Sequence, residues 1–169
     1  MNNILILIHG NPIAQTIREN ELLFPWIESL HVLAVTLVLG SIALVDLRLI
    51  GVRAINRPIS NISKELLPIT WMAFLVAAVT GAILFTSNAL SYSQNWYFIS
   101  KIILLGLAGI NMMCFQFIIG KNLDSWNHYQ QLPLPARISG ALSLALWISI
   151  IVCGRWIGFT LEPVFFTVS

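Results

Sequence analysis

Four long apolar stretches restrict how this chain can fold. They cover about residues 25–51, 68–85, 97–120 and 136–159, and each is close to the roughly 20 residues that a helix needs to cross hydrocarbon. Only 9% of the residues are charged, against about a quarter in soluble domains. We therefore predict an all-α integral membrane four-helix bundle, in which residues 1–169 form a single transmembrane domain within the lipid bilayer.

A short helix is expected before the first span. Asn11 is a favourable capping residue, and Pro12 suits the first position of a helix. Ile13 and Ile17 follow four residues apart among polar neighbours, which favours a helix lying in the headgroup plane. The pattern predicts an interfacial helix over about residues 11–22, with a lid and a partner contact as equally open roles.

The basic residues predict the orientation of the spans. Five of them follow the first or the third span: Arg53, Arg57, Lys64, Lys121 and Arg137. The connector after the second span, residues 87–96, carries no charge. Because basic connectors stay in the cytoplasm, we expect both termini to face outward from an inner (cytoplasmic) membrane. No dense run of lysine and arginine is present, so nucleic acid is not an expected partner.

This orientation places four ionisable residues of three spans in the outer half of the membrane. They are Glu28, His31, Lys101 and Arg155. An ionisable side chain in hydrocarbon is costly unless it finds a partner or reaches water, so such residues are candidates for function. We expect these four to form the functional site.

Helical periodicity predicts which way two of these spans face. Lys101, Ala108, Met112 and Gln116 fall within about 60° of one another on a helix, a stripe suited to the bundle interior. The same reasoning leaves open whether Arg155 faces the bundle or extends to the interface.

Two further patterns concern packing. Ala73, Ala77 and Gly81 recur every four residues in the second span, which predicts close approach of another helix. Asp46 and Arg53 lie seven residues apart and can share a helix face, so we expect them to form an anchor at the inner interface.

His31 is the strongest candidate for ligation. A neutral imidazole in an apolar bundle is a common axial ligand of haem iron and of other metals, although a histidine hydrogen-bonded across helices is the alternative. Glu28, one turn earlier, could orient the ring, pair with Lys101, or be an interfacial carboxylate near the helix start. Arg155 suits haem propionates or an interface anchor.

A second histidine is not expected across the bundle, because His9 and His128 lie outside the predicted spans. A sixth ligand could be Lys101, Met72, Met112, water or nothing. The sequence does not choose among them.

Several motifs resemble an uncharacterised bacterial family of four-span membrane proteins. They are residues 24–31 (FPWIESLH), 40–41 (GS), 46–51 (DLRLIG), 98–101 (FISK), Asn111, 146–147 (LW) and 154–156 (GRW). More distantly, His31 and Lys101 resemble a pair in the haem-containing protoporphyrinogen oxidase membrane family, and copper-resistance D-type membrane domains have a similar layout. The resemblance implies a b-type haem ligated by His31 and supported by Lys101.

Three functions remain in competition at this point. The leading hypothesis is electron transfer or oxidation by a non-covalent b-type haem, with His31 as its axial ligand and Lys101, Glu28 and Arg155 tuning or anchoring it. The chain would then be a membrane haem oxidoreductase. The alternatives are an accessory subunit of a larger membrane complex without its own cofactor, and a small metal or solute transporter that functions as a homo-oligomer.

Overall fold

A computed structural model describes residues 10–20, 22–52, 59–119 and 132–161 of the protein. This part of the chain is helical and contains no strand. Its helices are α1 (Pro12–Glu19), α2 (Leu23–Ile50), α3 (Ile59–Ser87), α4 (Ala89–Gln94), α5 (Trp96–Cys114), which continues as a π-helical turn (Phe115–Ile119), and α6 (Leu134–Thr160). Four of them, α2, α3, α5 and α6, are long and apolar enough to cross a membrane. The predicted all-α four-helix membrane bundle is confirmed.

The second span begins earlier than the sequence predicted. Pro68, expected in the first turn, lies inside α3. The exposed charged residues Lys64 and Glu65 precede it in the same helix. Because the start of the span was predicted from its run of apolar residues, these charges placed the predicted start too late. Proline is tolerated within a membrane helix because neighbouring groups satisfy the carbonyl that it leaves free.

The short helix expected before the first span is present. α1 starts at Pro12, as predicted, buries Ile17 and packs against α2 and α3.

Polar side chains define where two of the spans begin. The Asn20 side-chain oxygen accepts hydrogen bonds from the backbone N–H groups of Leu22 and Leu23 at 3.0 and 3.2 Å. It thus satisfies donors that the start of α2 leaves without helical partners.

Asn95 has the same function at α5 and also links two helices. Its side-chain oxygen accepts from the N–H groups of Tyr97 and Phe98 at 2.9 and 3.2 Å. Its Nδ2 donates to Thr160 Oγ1 at 2.9 Å. The start of α5 is therefore fastened to the end of α6.

The four spans pack in an open arrangement. α2 packs along both α3 and α6, and α5 packs along α6. Within the described residues, α3 and α5 share no comparable packing. The bundle is consequently incomplete along one side, which we call the α3–α5 gap.

The core lies where the four spans meet, and it includes the buried Ala73 of α3. Val38, Trp147 and Ile150 are buried there. The outward faces carry large apolar side chains, of which Trp26 and Met72 are both 72% exposed. In a membrane these faces contact lipid.

Small residues bring the spans close together. Ala73 and Ala77 are buried, as their spacing predicted. At the junction of α2 and α6, a Cβ atom on Gly140 would lie 2.9 Å from Leu49 Cβ and 3.1 Å from the Asp46 carbonyl oxygen. Only glycine allows these two helices to approach this closely.

We predict that Gly140→Ala lowers the free energy of unfolding by about 1–3 kcal/mol, since the added methyl group would force the helices apart. The measurement is chemical or thermal unfolding in detergent micelles. Gly106→Ala is the matched control, because a Cβ on Gly106 meets nothing within 4 Å. Equal stability of the two variants would contradict the prediction.

Candidate functional site

All four ionisable residues of the predicted site line one cavity, here called the His31 cavity. It measures about 330 Å³ and lies between α2, α3, α5 and α6, and this volume is within the usual range for ligand and cofactor sites. Glu28, His31, Lys101 and Arg155 contribute to its wall. The fold thus brings together the residues that the sequence placed at one depth.

The His31 ring is oriented by a hydrogen bond across helices. Its Nδ1 lies 3.0 Å from Thr80 Oγ1. The Thr80 hydroxyl donates its own hydrogen to the Val76 carbonyl at 2.7 Å, so towards His31 it can only accept. His31 Nδ1–H is therefore the donor, and the neutral ring carries its free lone pair on Nε2. Metal-ligating histidines are commonly held in this way.

Gly81 makes room for the same ring. A Cβ atom at Gly81 would lie 3.0 Å from His31 Cε1. The spacing of Ala73, Ala77 and Gly81 predicted close helix packing, and the structure shows that Gly81 also provides space for a functional side chain. Thr80 holds the His31 ring, and Gly81 leaves the space that it occupies.

Lys101 faces the interior, as its helix stripe predicted. Its Nζ lies 3.7 Å from the position that a Cβ on Gly154 would take, and it lines the same cavity as His31. Ala108 on the same stripe is buried, but the inward placement of Gln116 is wrong, because this side chain is exposed. Gln116 belongs to the π-helical turn, whose extra residue per turn rotates it away from the stripe.

Arg155 combines the two orientations that the sequence left open. Its side chain lines the His31 cavity and is exposed. The guanidinium carbon lies 4.9 Å from the centre of the Phe159 ring, a cation–π contact. Arg155 therefore places a positive charge at the rim of the cavity.

An aromatic wall that the sequence analysis missed closes one side of the cavity. The Phe85 and Phe98 rings are stacked with their centres 5.3 Å apart, and the Tyr92 ring lies 5.4 Å from Phe98. These residues belong to α3, α4 and α5 and all line the cavity. In the sequence, the signal for this wall was the presence of aromatic residues within and beside the charge-free connector between the second and third spans.

The structure separates the candidates for a sixth ligand. Lys101 shares the cavity with His31. Met72 is exposed on the outer surface of α3, and Met112 lines a different cavity. Among the described residues, no group of three His, Cys, Asp or Glu side chains could hold a metal ion. Any metal at His31 would therefore need ligands from outside these side chains, as haem iron has in the porphyrin.

A second cavity of about 170 Å³ lies nearer the opposite end of the spans and is here called the Asp46 cavity. The prediction that Asp46 anchors the helix at the membrane interface is wrong, since its side chain is only 5% exposed. It is buried because α6 packs over it at Gly140. Arg53, its expected partner, lies outside the described residues. Asn111 and Ser139 join α5 to α6 beside this cavity through two hydrogen bonds of 3.1 Å.

Tyr92 offers a test of the geometry at the His31 cavity. Burial raises the pKa of the Tyr92 phenol, and the nearby Glu28 carboxylate raises it further, since both disfavour the phenolate. We expect Glu28→Gln to lower the pKa of Tyr92 towards its ordinary value. Tyrosinate absorbance measured across alkaline pH would report the change.

Glu65→Gln is the control for this titration, because Glu65 lies outside the lining of the His31 cavity. A tyrosine titration shifted equally by both substitutions would contradict the placement of Glu28 beside Tyr92.

Comparison with known proteins identifies a family that has no established activity. No curated protein and no solved structure matches the chain. The comparisons show no link to the haem-containing or copper-resistance families that the His31 and Lys101 pair resembles. A model of the family of unknown function DUF6644 matches residues 21–160. This match includes all four spans and confirms the predicted membership of an uncharacterised family: the chain belongs to DUF6644.

Proposed function

We propose that the protein binds a b-type haem in the His31 cavity and takes part in electron transfer or oxidation. The observation that carries the proposal is the orientation of His31. Its Nδ1–H donates to Thr80, and its Nε2 is left as a ligand atom on a ring that lines a cavity between all four spans.

The chemistry of the cavity wall suits such a group. Arg155 would supply positive charge for the haem propionates, and Lys101 would do the same when charged or would ligate the iron when neutral. Phe85 and Phe98 offer apolar contacts to a flat ring. Bound haem would supply one-electron chemistry, while the protein sets its orientation and electrostatic surroundings.

The α3–α5 gap supports this assignment. Residues of both helices line the His31 cavity, including Gly81 and Lys101, yet the two helices do not pack along each other. Away from the Phe85–Phe98 stack, a large planar group can therefore enter from the side without separating helices that pack along each other.

We also propose that the protein lies in the bacterial inner membrane with both termini outward. Residues that share each cavity show that successive spans run in alternate directions. Lys64 and Arg48 belong to the end nearer the Asp46 cavity, where the basic connectors begin. The positive-inside rule then puts the His31 cavity in the outer half of the membrane.

The orientation predicts where an impermeant maleimide can react. The test uses a background in which Cys114 and Cys153 are replaced by serine. In this background, Lys64→Cys should be labelled only after the inner membrane is permeabilised. A cysteine at the exposed Gly10 should be labelled in spheroplasts. The reverse pattern would overturn the proposed orientation.

We expect the purified wild type, expressed with ample haem, to show a Soret band and a pyridine haemochrome spectrum of haem b. The haem content of His31→Ala should be more than tenfold lower than that of the wild type, since the proposed protein ligand to iron is removed. His128→Ala, the same substitution in a connector outside the predicted spans, should retain it. Imidazole added to His31→Gly should restore the band, because it can occupy the vacated ligand position.

Retention of haem by His31→Ala would overturn the ligand assignment. A colourless and folded wild type would reject haem binding altogether. The accessory-subunit hypothesis would then become the leading one, with native gels of membranes expected to show the chain only at high mass. Solute uptake by proteoliposomes would instead indicate a transporter.

A further inference from the structure

Asp46 is a buried acid with an unmet hydrogen-bonding requirement. Its side chain is 5% exposed, and within the described part of the chain its Oδ2 atom has no hydrogen-bond partner. Ser143 of α6 is within hydrogen-bonding reach of the same carboxyl group. A buried carboxylate is unfavourable unless it is neutralised or paired, so the Oδ2 atom of Asp46 still requires a positively charged or hydrogen-donating partner beyond Ser143.

The space beside Asp46 indicates what that partner is. Asp46 is the one acidic or basic side chain among the described residues that line the Asp46 cavity. Four aromatic residues also line it: Trp71, Phe74, Phe115 and Trp147. Aromatic faces attract cations, and more strongly where water is excluded.

These walls favour an organic cation over a bare metal ion. A hard metal cation prefers a shell of several oxygen atoms. The wall of this cavity is mainly apolar, and among the described residues no group of three His, Cys, Asp or Glu side chains could hold a metal ion. An ammonium group on a small apolar body would satisfy Asp46 and the walls together.

The volume limits the size of that body. The cavity measures about 170 Å³, and an apolar protein cavity of about 150 Å³ is known to accommodate benzene. A one-ring amine is therefore the largest rigid ligand that we expect to fit without movement of the helices.

We propose that the Asp46 cavity is a binding site for a small lipophilic ammonium ion. The Asp46 carboxylate accepts a charge-assisted hydrogen bond from its nitrogen, and the aromatic wall encloses its apolar part. Residues of both α3 and α5 line the cavity, such as Thr70 and Ala108, so the ligand enters through the α3–α5 gap. Among the residues that the structure describes, the two cavities share no lining residue, and this site does not depend on haem binding at His31.

The test uses benzylamine as the cationic probe and toluene as its neutral analogue of similar shape. Binding to the full-length protein in detergent is measured by isothermal titration calorimetry, after subtraction of titrations into empty micelles. We expect benzylamine to bind the wild type at least tenfold more tightly than toluene. This comparison requires no substitution, so it holds even where a variant fails to fold.

Asp46→Asn preserves the size of the side chain and removes its charge. We expect it to weaken benzylamine binding at least tenfold and to leave toluene binding unchanged. Glu65→Gln, the same loss of charge at an exposed residue that lines neither cavity, should leave both affinities unchanged.

Three results would overturn the proposal: equal affinity of the wild type for the two probes, benzylamine affinity retained in Asp46→Asn, or no binding of benzylamine. Thermal stabilisation of the wild type by sodium chloride but not by choline chloride, lost in Asp46→Asn, would also overturn it in favour of a bare ion.

Discussion

The packing of α2 against both α3 and α6 is the constraint on which the rest of the structure depends. Because α5 packs along α6 and not along α3, the four spans form an open arrangement. Every polar group in such a bundle must find a partner in protein, since hydrocarbon supplies none. The two cavities lie along the α3–α5 gap, and five ionisable residues of the spans line them: Glu28, His31, Lys101, Arg155 and Asp46.

The two cavities satisfy this requirement to different degrees. His31 has a partner in Thr80, and the charges of Glu28, Lys101 and Arg155 lie around the same space. Asp46 lacks a partner for one carboxylate oxygen in the described structure. The first cavity is therefore equipped to orient a group of mixed polarity, whereas the second presents a single charge in an aromatic enclosure.

Much of the fold could be predicted from the sequence, because hydropathy and helical period directly reflect the bilayer. These patterns identified four spans, the inward face of Lys101 and the small-residue stripe of α3. They could not identify the Thr80–His31 contact, which joins residues 49 positions apart. They also misplaced Gln116 and Asp46, since a π-helical turn changes the period locally and burial by α6 depends on the absence of a Cβ at Gly140.

The open side of the bundle suggests why these cavities persist. A small membrane domain could exclude empty space by packing α3 against α5, and it would gain dispersion contacts in doing so. Here the Phe85–Phe98 stack joins the two helices beside the short α4 connection. The remainder of the gap is lined by His31, Lys101 and Asp46, whose burial is costly in hydrocarbon. A bundle selected only for stability would have apolar residues at these positions, so their presence supports the two proposals in which ligands bind along the gap.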